Sequence, residues 1–346
     1  MLPESAELVL FAAFVLAFAF VFAPAAAPRR SLLLRGGAGL AGTITIVAVP
    51  TFELVLLTLL TLGVLNAAAD GKQPFAVRLK APVFAVAVFA LGLVLARAAG
   101  PEVLDRFAAV GLVAGVAAGI GLLPYLHPFD PDDAVTGSPI AWMAFIGPAL
   151  AVVVAGTRGL VPAEAGGVLG AMLIGVGLVN VAWGGVAAWL TESTVAAWRY
   201  SFMADWGLAL CGFGLMVVDG RRAALLVLFS IVLCRLPLYL ASPQSLRART
   251  VTERPVNLVV AAALAGSAPF AGFAARVLLL RGATQLFWPL GLVLALGMLL
   301  WLPGSLRLGR SLGVPRGRQA LGVALVLALN VAVGLYPLPL LEAARL

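Results

Sequence analysis

The chain has 346 residues, of which 62% are hydrophobic and 11% charged, and a formal net charge of +8. A soluble domain of this size carries about 25% charged residues, so the composition excludes one and points to a polytopic membrane protein. The positive charge is not a nucleic-acid footprint. No basic block is interleaved with aromatics, and the arginines lie between apolar runs, where they bias membrane topology.

Apolar runs near 20 residues recur along the chain, each long enough to cross about 30 Å of hydrocarbon. They predict spans at 5–23, 31–49, 51–67, 79–99, 106–126, 139–157, 165–190, 201–218, 222–240, 256–281, 286–304 and 319–338. The first run lacks a basic leader, because Glu4 and Glu7 occupy its start. It reads as a retained span rather than a signal peptide. Pro50 separates the second and third runs and suits the first turn of a helix. The whole chain, 1–346, reads as a single membrane domain.

Lys and Arg set the orientation. With the N-terminus outside, the inner loops hold fourteen of them and the outer loops and C-terminus seven. That bias puts both termini outside a cytoplasmic (inner) membrane.

Two runs are interrupted. One carries Gly119-Ile-Gly121-Leu-Leu-Pro124 and the other carries Gly266, Pro269 and Gly272. Gly and Pro break a helix, and broken backbone survives at membrane depth only inside protein or along a wet cavity. The breaks lie five spans apart, and an odd offset reverses direction. The pattern predicts an all-α polytopic fold of about twelve transmembrane helices. They would form two inverted five-helix repeats, 31–157 and 165–304, with 319–338 as a final transmembrane helix.

Ionisable residues inside apolar runs are costly, about 2.5–3.5 kcal/mol each on insertion scales. Five stand out. Glu53 lies just inside the third span, Asp205 in the eighth, Arg235 in the ninth and Arg276 in the tenth, while His127 ends the fifth. Each has a structural alternative. Glu53 suits a helix N-terminus, where the dipole favours an acid. Asp205 and Arg235 suit an ion pair between neighbouring helices. Arg276 suits a snorkel to the interface, and His127 a loop beside Asp130, Asp132 and Asp133.

No nucleophile–base set, phosphate-cradling loop or paired haem ligand appears in the sequence. Cys211 and Cys234 lie in apolar runs without metal or disulfide spacing and read as small core residues. The Asp130, Asp132 and Asp133 cluster reads as solvated loop.

Four stretches resemble the antiporter-like, proton-translocating membrane subunits of respiratory complex I, related hydrogenases and Mrp antiporters. Gly266-Ser-Ala-Pro269-Phe-Ala-Gly272-Phe273-Ala-Ala-Arg276 is similar to that family's Gly-Leu-Pro-Pro-x-x-Gly-Phe-x-Gly-Lys, with Arg276 at the lysine. Phe52-Glu53-Leu54 resembles the Trp-Glu-Leu that opens a glutamate-bearing helix. His127-Pro-Phe-Asp130-Pro-Asp132, followed by Ser138-Pro139, resembles a His-x-Trp-x-Pro-Asp loop. Tyr200-Ser201-Phe-Met-Ala-Asp205-Trp-Gly207 resembles Tyr-Ser-Ser-x-x-His-x-Gly, with Asp205 at the histidine. Arg235-Leu-Pro-Leu-Tyr-Leu240 is more weakly similar to Lys-Ala-Leu-Leu-Phe-Leu.

The resemblance covers about residues 31–304 and is nearest to the N-type subunit of NADH-quinone oxidoreductase. It implies a translocase subunit with no redox site and no cofactor of its own. Quinone, NADH and iron–sulfur clusters would belong to partner subunits in the membrane. Glu53 and Asp205 would exchange protons, with Arg235 and Arg276 as fixed charges.

The departures imply a degenerate first half-channel. The family's first-repeat lysine falls near Ala118 or Gly119, and its next basic position falls in Pro148-Ala-Leu150-Ala. Two second-repeat lysines are arginines, which do not release a proton as a desolvated lysine does. A structural, non-conducting subunit and an unrelated secondary transporter remain open alternatives.

Overall fold

The computed structural model describes residues 29–49, 163–241 and 254–343, most of 109–124, and scattered positions within 9–17 and 51–87. Every regular element among the described residues is helical. The residues fall into two compact units, one drawn chiefly from 30–176 and the other chiefly from 177–346.

The first unit contains most of α1, Arg29–Ala48. Thr43 is buried, and its hydroxyl donates to the Gly39 carbonyl at 2.7 Å. Gly42 lets the chain carrying Thr58 and Leu62 come close, since a Cβ there would lie 3.0 Å from Thr58 Cγ2. A buried apolar helical stretch that includes Leu112, Val113, Val116 and Ile120 ends at Gly121. Gly121 adopts φ 82°, and its N–H and that of Leu122 both donate to Ala117 O. Pro124 follows and is exposed.

The second unit is described over most of its length. Helix α2, Ala163–Leu190, enters it and is followed by α3, Thr194–Gly214. Ser193 caps α3 by accepting from Ala196 N. Eighteen of the 21 residues of α3 are buried. Small residues make this possible, as is usual where transmembrane helices meet. A Cβ on Gly184 would lie 2.6 Å from Tyr200 O, and one on Gly207 would lie 2.6 Å from Gly177 O.

Helix α4, Val218–Ser230, runs into a single π-helical turn, Ile231–Arg235, and then into α5, Leu236–Ala241. The wide turn has a covalent cause. Pro237 has no N–H to donate, and its ring would collide with the carbonyl four residues back. The chain relaxes by forming an i→i−5 bond from Leu236 N to Ile231 O.

Next come α6, Pro255–Ala265, α7, Ala271–Leu286, and α8, Trp288–Leu300. They are followed by α9, Leu302–Ser311, α10, Arg318–Leu335, and a short α11, Leu338–Ala343. Helix α7 packs chiefly on α4, α3 on α4, and α6 on α9, while α10 covers α5 and α7. Arg307 on α9 donates to the carbonyls of Trp189, Thr191 and Glu192. It thereby satisfies orphan groups at the C-terminal end of α2, where a cation also suits the dipole.

The expectation of about twelve transmembrane helices in two inverted five-helix repeats is overturned. Among the described residues, four helical stretches are long and apolar enough to cross a membrane: Gly166–Leu190, Val218–Tyr239, Trp288–Ser311 and Arg318–Leu335. An apolar run counts residues, whereas a span needs continuous helix. The run 256–281 divides into α6 and α7, of 11 and 16 residues. The run 201–218 lies for its first fourteen residues in α3, which carries Arg199 and Asp205 and is buried almost throughout. The chain is a helical membrane protein whose interior helices are partly too short or too polar to count as spans.

Candidate functional site

The site forms where α6 stops. Gly266 takes the left-handed conformation, φ 61° and ψ 41°, at the end of that helix. Its N–H donates to Ala263 O, and Ser267 N donates to Ala262 O at 3.1 Å. The Ser267 hydroxyl also reaches Ala262 O at 2.8 Å. This is a glycine-terminated helix end, which recovers some of the orphan carbonyls. The Leu264 carbonyl takes its partner from another helix.

That partner is Arg235, placed by the π-turn. Its Nη2 donates to Leu264 O at 3.0 Å, its Nε to Asp205 Oδ2, and its Nη1 to Ser201 Oγ. Asp205 and Ser201 lie four residues apart on one face of α3. Arg235 is 2% exposed and Asp205 5% exposed. A charge so buried is tolerated only when paired and hydrogen-bonded. Here one guanidinium takes a carboxylate, a hydroxyl and the negative end of a helix together.

Arg276 stands one turn into α7. The backbone of Gly266 lies against it, for a Cβ on Gly266 would be 2.9 Å from Arg276 Nε. The break needs a second glycine for the same reason. A Cβ on Gly272 would lie 2.8 Å from Gly266 Cα. Trp301, in the turn between α8 and α9, presents its ring to both arginines. The guanidinium carbons lie 4.9 Å (Arg235) and 5.0 Å (Arg276) from its centroid. Such contacts contribute about 2 kcal/mol or more when desolvated.

Helix α10 closes the far side of the break. Asn330 is fully buried, and its Oδ1 accepts from Ala271 N at 2.9 Å. It thus takes one of the orphan donors at the start of α7. Gly334 allows the close approach, since a Cβ there would overlap Pro269 O.

The structure therefore gathers Asp205, Arg235, Arg276, Gly266, Pro269 and Gly272. It places Pro124 at the exposed end of the other break. Glu53, His127 and Gly119 lie outside the described residues. Ser201, the Leu264 carbonyl, Trp301 and Asn330 were not singled out by the sequence reading. Asn330 carried a usable signal, as the one asparagine in the run 319–338. The thiols of Cys211 and Cys234 are buried and unbridged. Among the described residues, no group of three His, Cys, Asp or Glu comes together as a metal site.

No protein-family model matches the chain, and no curated protein sequence matches it. Solved structures do share its fold. A chain of the membrane-bound sulfane sulfur reductase, an archaeal respiratory membrane complex, aligns over 95% of this chain with a TM-score of 0.72 and 16% identity. A chain of respiratory complex I from Thermus thermophilus aligns over 98%, with a TM-score of 0.72 and 13% identity. A chain of the Mrp complex from Dietzia sp. DQ12-45-1b aligns over 99%, with a TM-score of 0.73 and 16% identity. The chain spans 64%, 84% and 44% of those three chains respectively, and so less than two thirds of two of them. At these identities the likeness is one of fold.

Proposed function

We propose that the chain is an antiporter-like membrane subunit of a redox-linked ion pump. Its first half would be degenerate, and the charge cluster at the α6–α7 break would be its surviving electrostatic element. The observation that carries this reading is the Asp205–Arg235 pair. It is buried inside the protein, with Arg235 in the candidate span Val218–Tyr239, anchored to a helix end, and flanked by a second arginine. Intramembrane charges are rare and mark ion paths, relays or fixed counter-charges. The shared fold with chains of a complex I, an Mrp complex and a sulfane sulfur reductase supports the same class. So do the motif resemblances around Arg276, Asp205 and Glu53.

The cluster suits a fixed field better than a relay. Arginine holds its proton where a lysine would release it. Asp205 is engaged by Arg235, so its charge is already committed. In this reading Arg235 and Arg276 bias protons or ions moving nearby without carrying them. Redox cofactors would belong to other subunits of the assembly. Both termini would face outward, with Arg307, Arg310, Arg316 and Arg318 on the inner side.

A non-conducting scaffold is the second reading, favoured by the absence of any charged residue in 107–126 around the first break. The test has two steps. The tagged chain, purified from its native membrane, should bring other membrane subunits with it. Ions moved per electron are then measured in vesicles for the parent and Arg276→Ala at matched subunit content. A fall in the ratio supports the pump reading, and an unchanged ratio with full assembly supports the scaffold. A chain that purifies alone and exchanges a solute overturns both in favour of an independent transporter.

A further inference from the structure

A second group of arginines lies away from the break, where α7 ends against the start of α4. Gly282 makes that contact, since a Cβ there would lie 3.2 Å from Gly220 N and 3.2 Å from Val217 Cγ2. It brings Arg281 Nε to 3.1 Å from Asp219 Oδ2. Arg222 is exposed and lies three residues beyond Asp219, on the same face of α4. Arg221 is next to it, and its buried Nε has no hydrogen-bond partner among the described residues. Asp219 thus offsets one of three positive charges. The dipole at the start of a helix favours acids, so Asp219 suits its place and the two arginines that follow it do not. Local rules are broken in this way chiefly at functional sites.

This corner lies at the end of two candidate spans. The Gly282 contact sets the last turns of α7 beside the first turn of α4, and α8 starts where α7 stops. The spans Val218–Tyr239 and Trp288–Ser311 therefore begin at the same end of the unit. Trp288, first in its span, is 68% exposed, and an exposed Trp at a span end is an anchor at head-group level. Below Arg281 the same face of α7 carries Val277 and Phe273, at steps of four residues. They are 47% and 46% exposed. The surface therefore offers cations at the end of a span and an apolar stripe leading inward from them. A phosphate with an acyl chain attached matches both parts. A free phosphate ion would leave the stripe uncovered. A zwitterionic lipid would bring a further cation to a corner already in excess of them.

We propose that the corner formed by Arg221, Arg222 and Arg281 binds the phosphate of one anionic phospholipid, with an acyl chain along Val277 and Phe273. The site does not rest on the pumping reading, because all of its groups belong to this chain.

The purified full-length chain in detergent is titrated with phosphatidylglycerol, phosphatidylcholine or inorganic phosphate. Tm and the lipid retained in native mass spectra are followed. The expected result is a saturable rise in Tm and one retained lipid with phosphatidylglycerol, and neither with the other two. Arg222→Gln, at an exposed position where folding is not at stake, should weaken phosphatidylglycerol about fivefold. Adding Arg281→Gln should weaken it further. Arg316→Gln, at an exposed position in the loop before α10, should bind it as the parent does. A parent with no saturable response overturns the site, as does an equal response to phosphatidylcholine or to inorganic phosphate. Unchanged binding in the double variant overturns it too. An equal loss in Arg316→Gln would mean that surface charge in general attracts the lipid, and would also overturn it.

Discussion

Among the described residues a buried helical stretch breaks at Gly121 and again at Gly266, and the two breaks are built from the same materials. Gly121 at φ 82° ends one stretch and Gly266 at φ 61° ends the other, each followed three residues later by a proline. Their described surroundings differ. The sequence from 107 to 126 contains no Asp, Glu, Lys, Arg or His, and Ile120 and Leu122 are buried. The Gly266 break collects Asp205, Arg235 and Arg276 around Trp301 and is pinned by Asn330. A helix break frees backbone carbonyls and opens a polar spot, but it supplies no charge. Among the described residues, ionisable groups gather only at the second break, and there neighbouring helices bring side chains to the freed backbone.

The comparison is tested hardest at Asp205. Asp205→Ala leaves Arg235 with a buried, uncompensated charge, and breaking such a pair costs about 3–5 kcal/mol. Adding Arg235→Leu removes the orphan and should restore part of the loss. Thermal unfolding of the two single variants and the double variant measures the coupling. Additive losses would mean that the pair is not an energetic unit.

Asn330 comes next. Asn330→Ala strips the Ala271 N–H of its acceptor in a fully buried setting, at a cost of about 1–3 kcal/mol. Hydrogen exchange at the start of α7 should quicken more than at α4. Equal quickening in both would mean that Asn330 serves general packing and does not pin the break.

The glycines set the two breaks directly against each other. Gly121→Ala and Gly266→Ala both place a Cβ in the left-handed region, costing about 1–2 kcal/mol. Gly266→Ala also pushes on the Arg276 guanidinium, 2.9–3.0 Å from the new Cβ. It should therefore lower Tm further than Gly121→Ala. The reverse order would remove the special status of the second break.

These contrasts also mark what the sequence could reveal. A charge inside an apolar run is conspicuous, so Asp205, Arg235 and Arg276 stand out by residue type alone. The glycines and prolines of the break do too. The partners of those charges are harder to read. The Leu264 carbonyl becomes an acceptor only because α6 ends at Ala265, and a helix end is set by backbone conformation. Trp301 lies in an apolar run where aromatic side chains ordinarily form core. The π-turn that aims Arg235 follows from Pro237, yet a proline alone does not say whether a helix kinks, ends or widens. The helix count failed for a related reason. Hydropathy measured the run 256–281 as one span, while its glycines and proline divide it into two short helices.

The smallest effect is expected at Glu53, in the half of the chain that holds the uncharged break. The sequence reading pairs this glutamate with a first-repeat lysine, and the nearest matching positions, Ala118 and Gly119, offer no base. A relay through this carboxyl needs a neighbouring group that takes up and returns its proton. Glu53→Gln keeps the size and shape of the side chain and removes its titratable proton. Ions moved per electron by the vesicle-reconstituted assembly should therefore change by less than about twofold. Arg276→Ala, measured beside it, should lower the ratio more. A large loss in Glu53→Gln at full subunit content would show that the first half conducts without charges at its break. The contrast between the two breaks would then describe packing and not transport.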